Sequence, residues 1–339
     1  MSDDLYLQHN HVVRKLVFVS ILLALVVVTL GAYTRLTHAG LGCPDWPTCY
    51  GLIDVPETAE QIALAEQIYP QSRVQPDKAW NEMIHRYFAG VLGLLILAIA
   101  FLSVKNRAQG TPLRLPLLIL VIVIFQAALG MWTVTMKLMP IVVMGHLLGG
   151  FTTLCLLFLL YLRLKPHRIN RSDFSIKKYG RFALLGIVLL TGQIALGGWT
   201  SSNYAALSCV ELPICQSGWQ AQLNFDNSFA LIPPERESYE FGHLSHDERV
   251  TIHVVHRFGA IAITIYLTWL LLMIYFKAQT STFKASAVVV GLALITQVSL
   301  GVSNVLFSLP LSIAVGHNLV AACLMLTLIA LTYRLRRKI

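Results

Sequence analysis

Eight apolar runs, separated by short clusters of charge or by Gly, Pro and Asn, occupy most of the chain: roughly 14-34, 83-104, 114-136, 141-164, 178-200, 251-275, 284-306 and 312-334. A helix needs about 20 predominantly apolar residues to cross the hydrocarbon of a bilayer, and the runs fall near that length. They predict eight transmembrane helices. Gly and Pro interrupt several of them, which a span tolerates when neighbouring helices satisfy the freed backbone groups. Two long polar loops, 35-82 and 201-250, stand out among the short connections.

Composition agrees. The 339 residues are 56% hydrophobic and only 13% charged, with a mean hydropathy of +0.65, far from a soluble domain of this size. The net charge of +9 is then a matter of topology. Lys and Arg gather on the cytoplasmic side of short loops, and 18 of the 26, from Arg14 and Lys15 to Arg337 and Lys338, fall on one side, while 14 of the 17 acidic residues fall on the other. This predicts both termini in the cytoplasm and gives a nucleic-acid-binding reading no support. Arg14 and Lys15 precede the first run as they would in a signal peptide, but its length and the lack of an A-x-A-like cleavage site favour a retained anchor. Without an Arg- and Ser-rich presequence, the expected location is a bacterial inner membrane.

The chain repeats itself. At an offset of 166, Gly31 meets Gly197, Thr34 meets Thr200, Cys43 meets Cys209, Pro47 meets Pro213 and Cys49 meets Cys215; at 171, His85 meets His256, Arg86 meets Arg257, Gln126 meets Gln297, Gly130 meets Gly301 and His146 meets His317. Four spans per half is an even number, so the halves share one orientation about an axis along the membrane normal. The expected fold is an all-α integral membrane protein of two tandem, pseudo-symmetric four-helix bundles, residues 1-170 with the outer loop 35-82 and residues 171-339 with the outer loop 201-250.

His85, His146, His256 and His317 each lie near the outer start of an even-numbered span, and the separation within each half is the same. An imidazole inside a span is costly and usually functional. Two on parallel helices of one bundle can hold a haem iron from both faces, with the bundle supplying the apolar slot. The alternatives are plain interhelical hydrogen bonding, or a zinc or copper site, which would want its ligands gathered in one place. Arg86 and Arg257 adjoin two of the histidines at the aqueous boundary and are candidates for pairing with haem propionates, or else snorkelling arginines.

The outer loops carry "CPDWPTC" and "CVELPIC". On the oxidising side such pairs are expected as disulfides, Cys43 with Cys49 and Cys209 with Cys215. The second reads as a structural staple; the first is a staple or a redox pair. The halves differ three residues before the first histidine of each. Glu82 stands in one and His253 in the other. A carboxylate on the face of an axial ligand can handle protons or stabilise positive charge, so the first half is expected to do chemistry and the second to relay electrons. His38 is a further candidate for proton handling or ligation. Trp46, Trp80 and Trp132 are expected in the interfacial aromatic belt.

With "GAYTRLTHAGLGCPDWPTCYG", "EMIHRYFAG", "MGHLLGG", "HVVHRFGA" and "VGHNLVAA", the chain resembles the haem A synthase family over essentially all eight spans. The resemblance implies an oxidoreductase that converts a methyl group of haem O to a formyl group by successive hydroxylations with water-derived oxygen, giving haem A for cytochrome oxidase. It implies substrate haem on His85 and His146, a permanent haem b on His256 and His317, and Glu82 as the catalytic carboxylate of an E-x-x-H-R motif. Cys43 and Cys49 match a pair present in many members. Implied partners are haem O synthase (a farnesyltransferase), cytochrome oxidase assembly proteins, membrane lipids and an electron acceptor that the sequence does not name, with a homo-oligomer allowed. The haem sites would lie near the periplasmic side. The acidic stretch 233-249 is assigned to partner docking or simple solvation. The rivals are a di-haem b membrane electron carrier and a haem transporter or chaperone.

Overall fold

The computed structural model describes residues 10–164 and 171–336; the expected bundle boundary at 170 and the basic residues Lys165, Arg168, Arg337 and Lys338 lie outside them. The described residues form nine α-helices: α1 (His11–Leu36), α2 (Ala59–Ile68), α3 (Pro76–Lys105), α4 (Arg114–Thr135), α5 (Pro140–Leu164), α6 (Tyr179–Ser202), α7 (His246–Lys277), α8 (Ser281–Leu306) and α9 (Leu311–Arg336). All but the short α2 are long and apolar enough to cross a membrane. Among the described residues the only β pairing noted is one isolated bridge, between Cys49 and Leu52.

The spans match the eight apolar runs, with one informative difference. α3 begins at Pro76 and α7 at His246, several residues before the apolar runs they contain. Pro76 takes the first helical position, where a missing N–H costs nothing. Ser245 and Glu248 form a reciprocal capping box at the start of α7. Local capping thus carries both helices beyond their apolar stretches. Glu82, expected at the end of a loop, is on helix α3, and His85 and His256 lie in the third turn of their helices, not in the first two.

Helix contacts close two rings: α1 with α3, α3 with α4, α4 with α5 and α5 with α1, then α6 with α7, α7 with α8, α8 with α9 and α9 with α6. The rings meet through α1 with α9, α5 with α6 and α5 with α9, which are equivalent faces of the repeat. In lipid, apolar burial hardly drives helices together, so close packing and small residues must do so. At the α5–α6 contact a Cβ on Gly198 would come within 2.7 Å of Leu147 Cδ2. Outward positions such as Leu94, Val121 and Ile265 are exposed and apolar, as hydrocarbon requires.

Packing is uneven along the bundles. The turns of α5 and α9 remote from the long loops bury Leu154, Leu157, Leu160 and Leu164, and Leu324, Leu328, Leu331 and Leu335. Toward the long loops, the His-bearing turns 143–150 and 315–320 are half-buried throughout. Each bundle therefore has a dense end and a looser end.

The loose ends are roofed by the loops. Both disulfides form, Cys43–Cys49 and Cys209–Cys215, each with a Cα–Cα distance of 4.8 Å. The first packs with Tyr50, Val55, Ala79 and Met83, the second with Val250 and Val254. After α1 and α6 the chain turns through left-handed residues at equivalent positions, His38 (φ 53°) and Tyr204 (φ 55°), and these rings stack on one another 5.8 Å apart.

The first loop approaches α3 closely at Gly42, where a Cβ would meet the Lys78 carbonyl at 2.6 Å and the Ala79 nitrogen at 2.8 Å. Gly42→Ala is therefore expected to destabilise the protein by about 1–3 kcal/mol, the usual cost of overpacking. Gly90→Ala, with open space around it on α3, should be neutral or slightly stabilising. Thermal unfolding of the two variants in detergent checks the contrast.

Candidate functional site

The four histidines come together as the repeat predicts they should, in twos. His85 on α3 and His146 on α5 face each other with ring centroids 6.4 Å apart and planes crossed at 84°. His256 on α7 and His317 on α9 hold the equivalent places in the second ring of helices. Among the described residues, no three His, Cys, Asp or Glu side chains converge as metal donors.

Each imidazole enters a helix contact where the neighbour lacks a side chain. A Cβ added to Gly31 on α1 would lie 3.0 Å from His85 Cε1, one on Gly130 of α4 would lie 3.3 Å from His146 Cε1, one on Gly197 of α6 would lie 3.2 Å from His256 Cε1, and one on Gly301 of α8 would lie 3.1 Å from His317 Cε1. Backbone hydrogens alone make these approaches comfortable. Sequence reasoning assigned the glycines no role. Their signal was present, because Gly31 aligned with Gly197 and Gly130 with Gly301.

Glu82 lies one turn before His85 and is only 5% exposed. Its Oε2 accepts the Cys43 N–H at 2.9 Å and its Oε1 accepts Arg86 Nη2 at 2.5 Å. Arg86 in turn donates from Nη1 to the Thr48 carbonyl at 2.6 Å. The carboxylate, the arginine and the first disulfide loop are thus one unit, held on the helix that carries His85. Charge-assisted bonds of this kind are about twice as strong as neutral ones, and they hold Glu82 in one place.

The second half builds the same roof with different charges. Arg257 donates from Nη1 to the carbonyls of Glu211 and Ile214, both at 2.5 Å, from Nη2 to that of Cys209 at 2.6 Å, and from Nε to His253 Nε2 at 3.3 Å. It is 8% exposed and has no carboxylate in this set. Glu82 balances Arg86, whereas the His253 ring leaves the Arg257 charge uncompensated. The sequence singled out Arg86 and Arg257 for propionates; their hydrogen bonds go to the disulfide loops.

His38 packs against Tyr204 and Phe241. Partial burial, and then the nearby Arg35 charge, hold its pKa below the ordinary histidine value. Trp80 Nε1 donates to Glu57 at 2.8 Å and so ties α3 to the first outer loop.

Residues 14–329 match the COX15-CtaA family, whose description is cytochrome oxidase assembly protein. The chain is 52% identical over 321 residues to heme A synthase of Shewanella oneidensis, covering 94% of this chain and 96% of the relative. It is 26% identical over 337 residues to heme A synthase of Mesorhizobium japonicum, covering 94% and 89%, and 26% identical over 324 residues to that of Neorickettsia sennetsu, covering 91% and 94%. With the family matched across all eight spans and both histidine pairs, the chain belongs to the haem A synthase family of cytochrome oxidase assembly proteins.

Proposed function

We propose that the protein oxidises a methyl group of haem O to a formyl group, producing haem A, with His85 and His146 holding the substrate and His256 and His317 holding a permanent haem b. The observation that carries this reading is the duplicated histidine pair with a buried carboxylate beside only one copy. Two imidazoles that held one iron between them would each contribute about 2 Å of metal–nitrogen bond and roughly 1 Å from nitrogen to ring centre, which would place their centroids about 6 Å apart. The 6.4 Å between His85 and His146 fits that requirement. The buried Nδ1 atoms of His85, His146 and His317 lack hydrogen-bond partners, so helix packing leaves polar atoms of these rings unsatisfied. The half-buried turns beside them are apolar, as a macrocycle requires.

Haem b, when bound, supplies one-electron relay chemistry. The chain's own residues do the rest. Each hydroxylation adds a water-derived oxygen and removes two electrons and two protons, the electrons passing to an acceptor, and loss of one water from the twice-hydroxylated carbon leaves the formyl group. Glu82, fixed by Arg86 and the Cys43 N–H, places negative charge one turn from His85, where it stabilises an electron-poor centre derived from the methyl group and takes up a released proton. The absence of a carboxylate beside His256 leaves the second half without that function. Arg86 and Arg257 remain the propionate candidates, each guanidinium donating to a propionate as well as to the loop carbonyls it already holds; the uncompensated Arg257 charge favours an anion more strongly. Cys43 and Cys49 tie the roof to Glu82, and Cys209 and Cys215 do the structural equivalent over Arg257. The haem sites are assigned to the periplasmic side of a bacterial inner membrane, both termini to the cytoplasm, with haem O synthase and oxidase assembly proteins as partners.

Mass analysis of pigment extracted from the purified protein should find haem B with haem O, a hydroxylated intermediate and haem A; haem B alone would favour a di-haem electron carrier. Glu82→Ala should retain haem and accumulate haem O or its partly oxidised form, and unchanged haem A output would remove Glu82 from the chemistry. His317→Ala should deplete haem B and His146→Ala should deplete the substrate haem. A fluorescent-protein fusion at the C-terminus should glow and an alkaline phosphatase fusion there should be inactive, the reverse pattern contradicting the cytoplasmic assignment.

A further inference from the structure

The repeat aligned glutamines for which the chemistry above has no use. Gln126, Gln193 and Gln297 each stand four residues before a glycine that faces a histidine, Gly130, Gly197 and Gly301 respectively. They share that glycine's helix face, and their amides reach the same histidine. Gln193 Nε2 donates to the His256 carbonyl at 2.9 Å and stands 3.0 Å from its ring Nδ1. Gln297 Nε2 stands 3.1 Å from His317 Nε2. Gln126 Nε2 donates only to the His146 backbone carbonyl, at 2.8 Å. Before the fourth glycine, Gly31, the equivalent residue is Val27.

Among the described residues, no side-chain amide bonds the His85 ring at this point. His256 has an amide at Nδ1, whereas His85, His146 and His317 leave Nδ1 buried without a partner. The difference involves both helices of the contact. Gln193 fits against α7 because Gly259 is opposite, where a Cβ would lie 2.2 Å from Gln193 Oε1. Gly259 is three residues after His256, and three residues after His85 stands Phe88. Beside His85 the amide and the notch that admits it are absent together, whereas the first half keeps such a pair beside His146, where a Cβ on Gly149 would lie 2.2 Å from Gln126 Oε1.

For a metal-binding histidine, a hydrogen bond at the second ring nitrogen sets the tautomer and the ring plane, and partners of this kind strongly affect metal affinity. A terminal amide can serve either tautomer, because turning about its last bond presents nitrogen or oxygen. Such a bond inside a low-dielectric bundle resists rotation of the ring more than packing alone does.

We infer that Gln193, seated in the notch at Gly259, is a positioning residue that makes His256 a ligand that stays, and that Val27 and Phe88 at the equivalent places leave His85 a ligand that lets go. One half of the duplicated protein thereby keeps its haem and the other exchanges it. This inference rests on the haem assignment proposed above.

The test is haem loss from the intact detergent-solubilised protein to excess apomyoglobin, read with the low-temperature EPR spectrum of the remaining haem. Gln193→Val is expected to release haem B at least about 10-fold faster than the unaltered protein, the lower end of typical effects at such partners, and to shift the EPR g values of that site. The reciprocal double variant, Val27→Gln with Phe88→Gly, is expected to slow release of haem O from the N-terminal site by a similar factor, and it decides the matter alone if Gln193→Val does not fold. Unchanged release rates and unchanged g values would overturn the inference. A His256→Ala protein that keeps its full haem complement would instead overturn the assignment on which the inference rests.

Discussion

An imidazole placed inside an apolar helix bundle needs room and a polar partner, and the rest of this structure is arranged around meeting those two needs four times. Room comes from glycine. Gly31, Gly130, Gly197 and Gly301 each let a histidine ring approach a neighbouring backbone that any side chain would push away. In the second half a partner comes from an amide, Gln193 at His256 Nδ1 and Gln297 at His317 Nε2. Because large side chains cannot fill the same space, the dense leucine packing that holds each bundle together lies at the opposite end from the histidines. Stability and function are divided along the membrane normal.

The ends where packing loosens are closed by the disulfide loops, and the same device docks both. An arginine one residue after a histidine donates to loop carbonyls, Arg86 to Thr48 and Arg257 to Cys209, Glu211 and Ile214. What differs is the residue one turn earlier. Glu82 neutralises its arginine and also accepts the Cys43 N–H, so the carboxylate proposed for catalysis is coupled to the first disulfide loop directly at Cys43 and through Arg86 at Thr48. His253 accepts from Arg257 without neutralising it. Duplication thus preserved the scaffold while the charge at one position diverged, and the amide–glycine pair of Gln193 and Gly259 diverged with it.

The eight spans, their approximate limits, the duplication and the grouping of the histidines were legible in the chain, because apolar runs of spanning length have few other fates and because the offsets of 166 and 171 bring equivalent residues into line. The starts of α3 and α7 were not legible from hydropathy. They are set by Pro76 and by the Ser245–Glu248 capping box, which extend a helix into polar sequence that hydropathy reads as loop. For the same reason Glu82 looked like a boundary residue when it is a buried helical one.

Sequence by itself determined which residues would share a helix face and which would be equivalent in the two halves, since helical periodicity and repeat offset are properties of spacing. It could pair Gly31 with Gly197 and Gln126 with Gln297, and it could mark Glu82 against His253. Only the tertiary structure decided what those residues touch: that each glycine faces a histidine on another helix, that Arg86 and Arg257 spend their donors on the loops, and that an amide reaches the ring of His256 but none reaches that of His85. Those are contacts between helices, fixed by how two rings of four pack against one another, and spacing along one chain contains no record of them.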